Sequence, residues 1–356
     1  MRGLANYAMS GRYRALLIAV ASSGSLLFGW IGCAVVALVT LRRGFREGAW
    51  LLLWALLPAV VLTRLTGDSS FLALLLGTSV LAATLRLTVS LPLTALCTTA
   101  VAVLTGMGLL TFGEPLLAEL ARVFEEFFSE LAKQSQQRDP ATAIVLQPPT
   151  QLQLAGMMGT AIGTLSFLCL VLARYWQAAL YNPGGFGQEW RALRFPPTLV
   201  FALLVAAIAL ASAGMSFRSW AAALLLPLTI GGFALLHAQA RERGSSTTWL
   251  TALYVVWLLL DVAKLVLVGL VAADALLDFR ERWRRKAGLA SADVSVEEVK
   301  GPEQGGPNGH AEGEPQERLQ ERTRENAQEQ AREPSQEQED ERRTEDDDDD
   351  DSGNKA

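Results

Sequence analysis

Histidine and cysteine are scarce in this 356-residue chain, which holds two histidines, His237 and His310, and three cysteines, Cys33, Cys97 and Cys169. Each cysteine sits in an apolar run, far from the others, so the paired spacing of a disulfide framework or a thiolate metal site is missing. Packed thiols are expected instead. No His-Glu-x-x-His, Gly-x-Ser-x-Gly or Gly-x-x-x-x-Gly-Lys pattern is present. The zinc-hydrolase, serine-hydrolase and nucleotide-phosphate classes therefore lose their usual sequence marks. No enzyme activity, cofactor or metal is expected. Basic and aromatic residues do not interleave in any stripe that suits nucleic acid, and that partner is not expected either.

Acidic residues are also scarce, but only in the first part of the chain. Residues 1–286 hold 23 Lys and Arg against 14 Asp and Glu, while residues 287–356 hold 8 against 22. From Ala287 onward there is no aromatic residue, and Asp346 to Asp351 is an unbroken acidic run. Such a segment lacks the apolar surface to offset its ordering entropy, so the tail is expected to be disordered and solvated. Two domains follow: a membrane domain over 1–286 and an acidic tail over 287–356.

The membrane reading comes from the apolar runs. A helix needs about 20 apolar residues to cross ~30 Å of hydrocarbon. Eight segments approach that length: 15–41, 49–63, 70–85, 87–112, 153–175, 197–215, 219–238 and 249–277. The fold class is therefore all-α, a polytopic bundle of about eight spans with the lipid bilayer as its first partner. The first segment follows Arg2, Arg12 and Arg14, yet it runs too long for a cleavable signal and is read as retained. It also contains Ser22-Ser23-Gly24-Ser25, Gly29 and Gly32, so it can fold as two short legs and give nine crossings. With eight spans and both termini cytoplasmic, 13 basic residues lie inside and 9 outside. Nine spans send the cluster Arg280, Arg282, Arg284, Arg285 and Lys286 to the wrong face. Eight spans in the inner membrane, with the tail in the cytoplasm, is the expected topology.

One further helix is amphipathic. Leu116, Leu117, Leu120, Phe124, Phe127, Phe128 and Leu131 recur at helical spacing opposite Glu119, Arg122, Glu125, Glu126, Glu130 and Lys133. Its acidic face argues for docking onto protein rather than onto anionic lipid. That face would also suit the outer side of the membrane, in conflict with the eight-span arrangement.

Two places attract a functional reading. The stretch Tyr181 to Pro196 carries Asn182, Pro183, Gly184 and Gly185, then Glu189, Trp190 and Arg191. It is either a tight connector with an aromatic belt or a loop that contacts a ligand or partner. In the last segment, Asp261 and Lys264 lie three residues apart on one helical face, and Asp274 follows toward the exit. Charges in hydrocarbon cost ~2.5–3.5 kcal/mol each, so these form either a polar pathway or a self-neutralising pair. His237, beside Gln239 and Arg241, reads as a boundary residue.

Ala173-Arg174-Tyr175-Trp176-Gln177, Tyr181 to Arg194, and the closing Leu276-Leu277-Asp278-Phe279-Arg280 resemble the YybS-like family of uncharacterised bacterial inner-membrane proteins. Leu38-Val39-Thr40-Leu41-Arg42-Arg43-Gly44 with Gly48 adds to the likeness. Members of that family are distantly similar to the substrate-binding membrane subunits of energy-coupling-factor transporters. The resemblance implies a membrane subunit that binds a small solute and needs a separate energising partner, and it carries over no site residue. The alternative is a non-enzymatic scaffold that recruits protein partners through its loops and acidic tail.

Overall fold

A computed structural model describes residues 2–25, 27–138, 147–242, 244, 247–283 and 285, and all regular structure among them is helical. The tail, with its expected disorder, lies outside these residues.

The chain starts with α1 (Arg2–Met9), α2 (Arg12–Ser23) and α3 (Gly29–Arg43). The apolar segment 15–41 is thus divided, as its serines and glycines allow. The legs run antiparallel. At one end Arg12 of α2 pairs with Glu47, just beyond α3, at 3.1 Å. At the other, a side chain on Gly32 of α3 would come within 2.6 Å of the Ser22 hydroxyl. Only a glycine lets these helices close so tightly.

Then come α4 (Phe45–Thr66), α5 (Ser70–Thr88), α6 (Leu91–Phe112), α7 (Glu114–Arg138), α8 (Gln151–Tyr181) and the short α9 (Gly185–Ala192). The chain ends with α10 (Pro197–Ser212), a 3-10 turn (Met215–Phe217), α11 (Arg218–Glu242), α12 (Thr247–Leu259) and α13 (Asp261–Leu277). The helices start where local chemistry favours it. The Ser90 hydroxyl accepts from the Leu93 amide ahead of α6, and Thr150 and Gln153 form a reciprocal capping box on α8.

Five helical stretches are long and apolar enough to cross a membrane: α4, α5, α6, α8 and Met215–Glu242. Counting each bent pair, α9–α10 at 67° and α12–α13 at 118°, as one span raises the number to seven. Length and composition thus yield five to seven spans rather than about eight, because α2 and α3 are each too short to qualify alone.

Small residues organise the centre. Side chains on Gly159 and Gly163 of α8 would strike Ala102 of α6, and one on Gly106 would strike Trp220 of α11 at 2.8 Å. Thr99 of α6 donates to the Ala223 carbonyl of α11 at 3.0 Å. With little hydrophobic drive between helices in lipid, such close backbone approach and interhelical hydrogen bonding hold a bundle together.

The two ends of the bundle differ. One end gathers the C-terminal ends of α3, α5, α8, α11 and α13. There Arg86 donates to the Leu41 carbonyl at 2.5 Å, Gln177 reaches the same oxygen at 3.5 Å, and Arg43 reaches the Met9 carbonyl at 2.6 Å. Arg42 lies over the Tyr181 ring in a cation–π contact, its guanidinium carbon 4.1 Å from the ring centroid. The opposite end carries α7, where Leu117 is buried and Leu116, Leu120 and Phe124 pack against the bundle. Farther along α7, Phe127 and Leu131 are exposed. The expected amphipathic helix is present, and its first half does dock onto protein.

Candidate functional site

α9 is tucked into the basic end by its sequence. Asn182 ends α8, and Gly184 follows with φ +88°, a left-handed conformation that glycine adopts without strain. The chain reverses there, and the Gly185 amide donates to the Asn182 carbonyl at 3.1 Å. The Asn182 side chain lies against Gly185, where a Cβ would collide with it. Beyond this turn Arg174 of α8 grips Glu189 of α9 with two nitrogens, one at 3.0 Å. Trp190 points into the bundle, 6.3 Å from Phe167 and 6.1 Å from His237, which it meets edge to face.

α13 closes the same site. Asp274 is buried and lies 3.6 Å from the buried Arg280 and 4.0 Å from Arg194. It also accepts from the Phe279 amide at 3.1 Å. Arg194 pairs with Asp278 at 2.7 Å, and Arg280 donates to the Arg191 carbonyl at 2.7 Å. Burial pushes the Arg280 pKa below its ordinary value, while Asp274 raises it and Arg194 lowers it further. Chain segments far apart in sequence are locked here by charge.

Three cavities surround α9. The largest, about 880 Å³, lies between α8, α9, α11 and α12 and is bordered by Tyr175, Trp190, Arg191, His237, Arg241 and Tyr254. A second, about 610 Å³, contains Arg86, Arg174, Gln177 and Glu189. The third, about 590 Å³, lies between α9, α11 and the end of α13. His237 bonds the Phe233 carbonyl at 2.8 Å and approaches the Tyr254 hydroxyl at 3.4 Å, so it belongs to the largest cavity.

Of the candidate residues, Asn182, Gly184, Gly185, Glu189, Trp190, Arg191 and Asp274 come together at this end. Asp261 and Lys264 do not join them. The apolar run 249–277 breaks at Leu260, so Asp261 opens α13, where a carboxylate suits the helix N-terminus. The Asp261 side chain lies outside the described residues. Lys264 is exposed and stands 5.9 Å from the Trp257 ring centroid. Tyr175, Tyr254 and the cavity role of His237 and Arg241 were not evident from sequence; only the aromatic spacing around an apolar helix end could have hinted at them. Among the described residues no three His, Cys, Asp or Glu side chains gather as metal ligands.

No family model, curated protein or solved structure matches the chain.

Proposed function

We propose that the protein is a membrane-embedded binding subunit of the transport type, which takes one small solute at its basic end and draws energy from a separate partner. The cavity of about 880 Å³ carries this reading, since its size falls within the range of small-ligand sites. Its border combines five aromatic or imidazole rings with the guanidinium groups of Arg191 and Arg241, and no carboxylate among the described residues. That lining suits a planar or apolar solute bearing negative charge. The sequence resemblance to the YybS-like family, whose members are distantly similar to energy-coupling-factor binding subunits, implies the same role.

On this reading the basic end faces the cytoplasm of an inner membrane. The α2–α3 hairpin puts Arg12, Arg42, Arg43 and Arg46 on the same side as Arg280, and among the described residues the opposite side holds Arg64, Arg122, Lys133, Arg138 and Arg218. The division is sharper than the 13 to 9 of an unbroken first span. Six crossings then comprise α4, α5, α6, α8, α10 and α11, and the short α2–α3 hairpin enters from the basic end and returns to it. The α12–α13 pair dips from the basic end and returns to it, since Tyr254 of α12 meets His237 and Asp278 after α13 meets Arg194.

The second reading, a scaffold, draws on α7, whose exposed Phe127 and Leu131 extend past the bundle. A thermal-shift screen of purified protein against small organic anions separates the two. A bound solute at 100 times its dissociation constant stabilises by about 2.7 kcal/mol. That shift is expected to vanish in Tyr254→Ala and Arg241→Gln. No shift with any solute, together with co-purification of a defined protein on α7, would favour the scaffold.

A further inference from the structure

The cavity of about 590 Å³ beside α13 has its own chemistry. Gln188, Arg191, Arg194, Glu242, Arg280 and Trp283 border it. Arg194 and Arg280 already have carboxylate partners in Asp278 and Asp274. Arg191 and Glu242 have no ion partner among the described residues. What remains is one uncompensated positive group and one uncompensated negative group on the same cavity wall. A simple anion would leave Glu242 opposed, and a simple cation would leave Arg191 opposed. A zwitterion satisfies both.

Arg280 brings a second guanidinium to this wall, its side chain 9% exposed and held from behind by Asp274 at 3.6 Å. Phosphate oxygens are well matched to several guanidinium groups at once. The position of the cavity points to a lipid as the source. Leu276 and Leu277, exposed at 68% and 42%, end α13 immediately before it, and Trp283 stacks on Phe279 at 6.1 Å just beyond. Exposed leucines followed by a paired aromatic and arginines mark the level where hydrocarbon meets headgroups.

We propose that this cavity binds the headgroup of a zwitterionic, phosphoethanolamine-type phospholipid, with phosphate on Arg191 and Arg280 and the ammonium on Glu242. The proposal stands apart from the solute cavity, with which it shares only Arg191.

The test compares phosphatidylethanolamine, phosphatidylglycerol and free O-phosphoethanolamine added to the purified full chain in detergent, reading melting temperature. Phosphatidylethanolamine is expected to stabilise at a concentration about tenfold below that needed for phosphatidylglycerol. Glu242→Gln should abolish that preference while retaining the response to phosphatidylglycerol. Arg191→Ala should weaken both lipids; Glu242 is exposed, so its variant decides the matter even if Arg191→Ala folds poorly. Equal responses of the parent protein to the two lipids would overturn the proposal, as would a preference that survives in Glu242→Gln. Equal potency of free O-phosphoethanolamine would overturn the lipid as source and assign the cavity to a soluble zwitterion.

Discussion

The basic end and the α7 end both carry many charges, but they use them differently. At the basic end Arg194 with Asp278 and Arg174 with Glu189 join separate elements, and Asp274 with Arg280 is buried. On α7 the pairs are local. Arg122 bridges Glu119 three residues before it and Glu126 four residues after, all well exposed. A buried pair, or one between elements, constrains where those elements sit, whereas an exposed pair within one helix adds only slightly to a helix already formed. The cavities follow the first kind of charge.

Removing a charge at each end should therefore have unequal effects. Asp274→Ala strands the buried Arg280 and is expected to cost about 3 kcal/mol, seen as a lower melting temperature of the purified protein. The double change Asp274→Ala with Arg280→Leu should be milder than the single one, because no uncompensated charge remains. Equal losses in the single and double variants would show that the pair does not act as a unit.

Arg174→Ala comes next. Its partner Glu189 is 41% exposed, so solvent screens the pair and the expected loss is about 1 kcal/mol. The more telling readout is local, since α9 should become more open to proteolysis within 183–193 while the bundle melts nearly as before.

These expectations show how much of the site the sequence made readable. The Asn182 to Arg191 loop was visible from its proline, its glycines and Trp190, all of which act through local backbone rules. The split of the first segment was visible for the same reason, in Ser22 to Ser25. The break between α12 and α13 was hidden, since Leu258-Leu259-Leu260-Asp261-Val262 has neither glycine nor proline and reads as one run. Asp274 drew attention as a charge, but its partners lie beyond the helix end, across the left-handed turn at Asp278 with φ 52°. His237 and Tyr254 meet only because α12 folds back on α11. Tertiary geometry of that kind leaves no periodic trace.

The smallest effect belongs to α7. Arg122→Ala should leave the melting temperature unchanged, since Arg122 and both its partners are exposed. The hydrogen bond from Arg122 holds the Glu119 carboxyl below the usual carboxylate range. Its contribution is therefore complete above the ordinary glutamate pKa of about 4.3 and fades as pH falls through the depressed native value. Amide exchange in α7 should quicken only in that acidic window, and less so in Arg122→Ala, where the shift is absent. A large loss of stability at neutral pH would give α7 the same structural weight as the basic end and break the contrast.

The contrast rests on the two ends lying on opposite sides of one membrane. With Cys33, Cys97 and Cys169 changed to Ala, single cysteines at Gln188→Cys, on the basic end, and Ser129→Cys, on α7, can be probed with a membrane-impermeant thiol reagent in sealed vesicles of known orientation. The expected result is labelling of Ser129→Cys from the outer face and of Gln188→Cys only after the membrane is opened. Labelling of both from the same face would contradict the account.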